Sequence, residues 1–177
     1  PGLENEDVND VVAVPEPGGT RLWVSAWNLG LLAWDGRRWE KHAPENGFPS
    51  RFPVTLATTL GPGGKPVLWA ATYDRGLIWR EDGAWRALDE TRGLPSNGVY
   101  ALLNGGGGEP GLWVGLRGGG LVALGAGGWW SLDRQNGLPT AEVLSLADAL
   151  GGPWIGTTRG AMRWDGSAWV REGVEHG

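Results

Sequence analysis

The 177-residue chain carries 33 Gly, 12 Pro, 13 Trp, no Cys and a formal net charge of −5. That length suffices for a real core, and the acidic balance offers no basic field to nucleic acid or an anionic membrane. The missing Cys exclude disulfides, thiolate metal ligands and Cys nucleophiles, and no apolar run approaches the roughly 18 residues of a membrane helix.

Self-similarity organises the chain. The first unit, residues 2–46, opens with Val8, Val11 and Val12, turns at Pro17-Gly18-Gly19, and continues through Leu22-Trp23-Val24, Gly30-Leu31, Trp34 and Trp39. The second, 47–92, starts at Gly47-Phe48-Pro49 and repeats the order with Leu56, Leu60, Pro62-Gly63-Gly64, Trp69, Gly76-Leu77, Trp79 and Trp85. The third, 93–136, predicts strands over Val99–Leu103, Leu112–Leu116, Gly120–Leu124 and Gly128–Leu132. In the fourth, 137–177, Val143, Leu144 and Leu146 lead to Trp154, Gly160-Ala161, Trp164 and Trp169. The best candidate for a helix, Glu142 to Leu150, is brief and ends in Gly151-Gly152.

Four short strands per unit, punctuated by Gly and Pro, predict an all-β chain. A period of about 40–45 residues without helices points to a β-propeller built from four tandem four-stranded antiparallel blades. The chain is then a single propeller, or a propeller segment. Asp35-Gly36, Asp82-Gly83 and Asp165-Gly166 predict tight hairpins between the third and fourth strands, because a type I′ turn needs positive φ at both central residues. Eleven Trp fall in columns: Trp23, Trp69, Trp113 and Trp154 on the second strand, Trp34, Trp79 and Trp164 ending the third, and Trp39, Trp85, Trp129 and Trp169 on the fourth. These are expected to be mostly buried between blades, each removing ~150–250 Å² from water. Trp27 and Trp130 lie off the columns. The ends, from Gly2-Leu3 to Gly177, fall in phase with the repeat, as expected of a trimmed or engineered segment.

With these columns in place, the pattern Gly-Leu-Pro-Ser, Val-x-x-Leu, Leu-Trp-[Ile/Val]-Gly-Thr and Gly-Leu-x-x-Trp resembles the two-component regulator propeller repeat. The clearest matches run from Gly93-Leu94-Pro95-Ser96-Asn97 through Val99 and Leu102, and from Trp154-Ile155-Gly156-Thr157 to Gly160. Leu116 and Ala161 depart from it, where the family favours Thr and Leu. The resemblance implies a sensor-type module of bacterial signalling proteins, placed outside the cytoplasm in the periplasm. No kinase, receiver or DNA-binding segment accompanies it here.

In a four-stranded blade, the turn between the second and third strands shares one end with the crossover to the next blade. That end gathers Trp27, Asn28, Tyr73, Asp74, Arg75, Arg117 and Arg159, with Arg51, Phe52, Asn97 and Glu142 on the crossovers. Loops on a rigid scaffold are where binding residues sit. Three Arg there suit a small anionic or sugar ligand, or a protein partner, although Arg also simply solvates turns. Catalysis fares badly: only His42 and His176 exist, so a His triad or metal site is not expected. The repeated Asp belong to hairpins, and the run 105–108 lacks the Lys-Ser/Thr of a phosphate loop. The leading reading is a non-catalytic recognition module without cofactor. Its alternatives are a Trp-rich carbohydrate-binding lectin and a fragment with no activity of its own. Exposed apolar faces on the first and last blades favour a homodimer completing a ring.

Overall fold

The computed structural model describes residues 3, 6–81, 83–105, 111–125, 127–135, 137–138, 140–149, 152–165 and 167–172. Gly2, Asp82, Pro139, Gly151, Gly166, His176, Gly177 and residues 106–108 of the glycine run lie outside them. The fold is all-β: four antiparallel four-stranded sheets in tandem, each a propeller blade. The first contains β1 (Val8–Glu16), β2 (Gly19–Ala26), β3 (Gly30–Trp34) and β4 (Trp39–His42). The second contains β5 (Pro53–Leu60), β6 (Pro66–Thr72), β7 (Leu77–Glu81) and β8 (Ala84–Leu88). The third holds β9 (Val99–Asn104), β10 (Leu112–Leu116), β11 (Gly120–Gly125) and β12 (Gly128–Leu132), and the fourth β13 (Val143–Ala149), β14 (Gly152–Thr157), β15 (Gly160–Trp164) and β16 (Trp169–Glu172). Strand order follows chain order in every sheet. Residues 143–149 of the brief helical pattern therefore form strand β13, because pairing of Leu146 with Ile155 and Ala147 with Trp154 overrides local pattern, and Leu150 lies outside the described residues.

The same devices recur in each copy. A register shift follows the first residue of β1, β5 and β13, at Val8/Asp10, Pro53/Thr55 and Val143/Ser145. Gly47, Gly93 and Gly137 all adopt positive φ after the fourth strand, which is why the Gly-x-Pro turn begins with Gly.

The chain forms two compact units, residues 1–99 and 100–177. In the first, one core joins Val14, Trp23, Leu31 and Ala33 of the first sheet to Leu56, Leu68, Ala70 and Ile78 of the second. Phe48, from the intervening turn, is fully buried within it. Thr55 Oγ1 and Leu56 N donate to Asp10 Oδ2 at 2.7 and 2.8 Å, tying the two innermost strands. In the second unit the equivalent core joins Trp113, Leu121 and Ala123 to Val143, Ile155 and Met162, with Leu138 in the place of Phe48.

Three expectations need correction. The column Trp are not mostly buried: Trp23 and Trp113 are, Trp129 is exposed, and the other eight are half-buried. Trp23 and Trp113 face the following sheet of their own unit, whereas Trp69 and Trp154 lie on the opposite side of theirs from that core. Nor do Trp34, Trp79 and Trp164 form one column. Trp79 pairs with Trp69, while Trp34 pairs with Leu22, the neighbour of Trp23. Arg80 occupies the register of Trp34, and a one-residue offset in a strand reverses the face. Finally, Asp35 and Asp165 do not make two-residue hairpins. Both start four-residue connections, with φ below zero, and cap them by accepting backbone N–H groups on the carboxylate. Asp35 Oδ1 takes Arg37 and Arg38 N at 2.8 Å; Asp165 Oδ1 takes Ser167 and Ala168 N at 2.8 and 2.9 Å. These N–H groups hold both carboxyls below their ordinary range.

Candidate functional site: the loop end of the first unit

Sequence alone places seven residues at one end of the blades, and the first unit brings five of them close. The turn after β2 holds Trp27 and Asn28, the latter in a left-handed conformation at φ 65° that Asn tolerates better than most residues. The turn after β6 holds Tyr73, Asp74 and Arg75. Backbone bonds lock both turns to the segments that lead into the innermost strands, with Trp27 N donating to Asp7 O, just before β1, at 2.8 Å and Tyr73 N to Phe52 O, just before β5, at 2.9 Å. The turns between second and third strands therefore share an end with the segments entering the first strands in this unit.

Three rings meet there. Trp27 lies 5.0 Å from Phe52 and 5.7 Å from Tyr73, centroid to centroid, the latter edge-on at 70°. Such edge contacts suit the ring quadrupole. Trp27 is half-buried and supports Tyr73, which is 40% exposed. Beside them, Asp74 accepts a 2.6 Å bond from Ser50 Oγ and sits 3.6 Å from Arg75 Nε. Arg75 is exposed, and Arg51 is engaged with Glu45 at 2.8 Å. The result is an aromatic floor bordered by an anchored carboxylate and a guanidinium.

The second unit has a different end. Arg117 and Arg159 are both exposed on turns. The Arg159 N–H is bonded to Thr157 Oγ1 at 3.1 Å, and its carbonyl accepts from Arg171 at 2.8 Å. Thr158 stands at the register of Trp27 and Tyr73 and meets Thr140 Oγ1 at 3.3 Å.

Sequence reasoning missed Ser50, although a signal was present. Ser50, Ser96 and Thr140 all follow the Gly-x-Pro turn, and each hydroxyl accepts the N–H two residues on. In the first unit that buried Ser50 hydroxyl also fixes Asp74. His42, at the end of the outer strand β4, is buried and lies 4.9 Å from the Trp23 ring. Burial pushes its imidazole below its ordinary range, against the pull of Glu40. No cluster of metal-ligating residues occurs among the described residues.

No protein-family model matches the chain, and no curated protein matches it. Solved structures do. Over 97% of its length the chain is similar to the extracellular domain assigned to the hybrid two component system BT3049 of B. thetaiotaomicron, at 20% identity and TM-score 0.75. Over 95% it is similar to that assigned to the one component system BT4673 of the same organism, at 18% identity and TM-score 0.72. The chain spans about a quarter of the length of these neighbours, 25% and 24%. At such identities the likeness speaks for the fold. Both neighbours are extracellular domains, and no helix among the described residues is long and apolar enough to cross a membrane.

Proposed function

We propose that this chain is a non-catalytic sensory recognition module acting outside the cytoplasm, in the periplasm, which takes its ligand at the loop end of the first unit. Support comes from the fold neighbours, which are extracellular domains of one- and two-component systems. The observation that carries the site is the exposed Tyr73 ring braced by Trp27 and Phe52, beside Asp74 and Arg75.

An aromatic face with an adjoining carboxylate and guanidinium suits a hydroxyl-rich or carboxylated small molecule. The ring covers the apolar face, while Arg75 and Asp74 orient polar groups. Arg117 and Arg159 belong to the same loop set and are secondary candidates. The lectin reading is less favoured, because Trp27 and Tyr73 have Arg117 and Thr158 at their registers in the second unit, whereas repeated sugar pockets would repeat the ring.

A glycan array, complemented by calorimetric titration with uronic acids and neutral oligosaccharides, tests the reading. Binding that Tyr73→Ala and Arg75→Ala each weaken by tenfold or more supports it. Binding untouched by both changes would move the site elsewhere.

A further inference from the structure

One hydroxyl device recurs along the chain, and the second sheet adds a charge to it. Ser50, Ser96 and Thr140 follow the Gly-x-Pro turn, and each hydroxyl accepts the N–H two residues on, at 2.9, 3.2 and 3.3 Å. That bond accounts for a small hydroxyl residue at the turn. The group that the hydroxyl then meets is not set by the repeat. Thr140 meets another hydroxyl, Thr158 Oγ1, at 3.3 Å. Ser50 donates to the Asp74 carboxylate at 2.6 Å.

Nor does the fold need a carboxylate there. Turns of the same length carry Asn28 at that place in the first sheet and Gly118 in the third, and the fourth sheet turns with one residue fewer. The turn holding Asp74 is secured by other bonds. Tyr73 N donates to Phe52 O at 2.9 Å, Arg75 N to Thr72 Oγ1 at 3.0 Å and Gly76 N to Asn97 O at 2.9 Å. A charge-assisted bond beyond these serves to aim the carboxylate.

That aim decides what the carboxylate can take. Ser50 is 1% exposed, so water does not compete for its proton, and Asp74 Oδ1 is occupied. Oδ2 lies 3.6 Å from Arg75 Nε, beyond hydrogen-bond length, on a side chain that is 32% exposed. A ligand hydroxyl can donate to Oδ2 and accept from the guanidinium at once. A ligand carboxylate only accepts, and it sets a second negative charge against Asp74. We infer that Ser50, by fixing Asp74, makes this site select neutral, hydroxyl-bearing ligands over carboxylated ones. Asp74 is the contact with the ligand, and Ser50 is a positioning residue. The inference rests on the reading that seats the ligand beside Tyr73.

Calorimetric titration with neutral oligosaccharides and their C6-oxidised uronic counterparts, taken as matched pairs from the array, tests this. Wild type should bind the neutral member at least about tenfold more tightly, the scale of one charge-assisted bond. Asp74→Asn should erase that preference with an unchanged unfolding midpoint, since Asn28 stands at the same place in the first sheet. Ser50→Ala should shrink the preference as well, and Ser50→Thr should restore it. A Ser50→Ala chain that loses both members of a pair equally would make the hydroxyl merely structural and overturn its role. So would a wild type that prefers the acid or retains neither member of any pair. If Tyr73→Ala abolishes binding but Asp74→Asn leaves the preference intact, the site stands and the selectivity falls. Binding untouched by Tyr73→Ala overturns both.

Discussion

Trp23 and Trp154 occupy one register in two copies of the same blade, yet their surroundings differ. Trp23 is 1% exposed, enclosed by His42, Trp85 and the Arg80 guanidinium. Trp154 is half-buried and bonds within its own sheet. The repeat sets where a Trp projects, but the neighbouring sheet decides whether it becomes core. The column is thus a pattern of addresses, and its energetic weight is assigned by packing.

Truncation should show the contrast most strongly. Trp23→Ala opens a void in a close-packed interface and is expected to cost about 3–5 kcal/mol. Trp154→Ala removes a side chain that keeps part of its surface in water and should cost about 1–2 kcal/mol. Urea unfolding of the two variants beside wild type makes the comparison. Equal losses at the two positions would mean that the fourth sheet is covered as fully as the first.

The next contrast concerns the innermost strands. In the first unit, Asp10 Oδ2 accepts both Thr55 Oγ1 and Leu56 N from the neighbouring strand. The third sheet has Ala101 at that place, two residues after Val99 as Asp10 is after Val8. Asp10→Ala leaves a backbone N–H and a hydroxyl unpaired and should cost about 1–3 kcal/mol. Ser145→Ala, at the same register in the fourth sheet, should cost less than half of that. Identical unfolding midpoints for wild type and Asp10→Ala would remove the clamp from the account.

Much of this architecture was legible in the sequence, and the failures are informative. The third blade's strands, written from Leu-Trp and Gly-Leu spacing, match those observed to within one residue. Spacing works because Gly30, Gly76 and Gly120 tolerate no side chain: a Cβ would strike the carbonyl oxygen of His42, Leu88 and Leu132. Face assignment failed at Trp79, where one residue of offset reverses the side, and a column drawn by residue type ignores that parity. Two of the three Asp-Gly pairs failed, because Asp35 and Asp165 act through their carboxylates over four-residue turns, whereas Glu81 and Ala84 pair across the two-residue connection the spacing predicts. The loop end was placed by topology alone, so Trp27, Tyr73 and Asp74 came together as expected. Ser50 was invisible as a site residue because its hydroxyl looked like part of the turn.

A smaller effect separates the units by pH. His42 lies opposite Leu31 in the first sheet, and Leu132 holds the same place opposite Leu121 in the third. Burial lowers the folded-state pKa of His42 below its unfolded value of about 6.5. Between those two values the unfolded chain binds the extra proton. Stability is therefore complete above about pH 6.5 and declines as pH falls towards the folded pKa. Asp35 and Asp165, with lowered pKa values, lose their contribution only further into acid. Urea midpoints at pH 7.5 and 5.0 should differ for wild type and differ less for His42→Leu. A pH response unchanged by that substitution would acquit His42.

The smallest effect on stability should accompany the largest on recognition. Tyr73→Ala removes a ring that is 40% exposed, while the Tyr73 N–H bond to Phe52 O belongs to the backbone and survives. Trp27 keeps its contact with Phe52 at 5.0 Å, so the turn retains its anchor. Stability should stay within about 0.5 kcal/mol of wild type, as for surface changes that open no cavity. Every sugar or acid retained by the wild-type chain on the array should nonetheless be lost or weakened tenfold. Thr158→Ala, at the same register in the second unit, carries no ring and should leave binding as it was. If Thr158→Ala abolished binding and Tyr73→Ala did not, recognition would belong to the second unit, where hydroxyls and exposed Arg rather than rings would have to supply it.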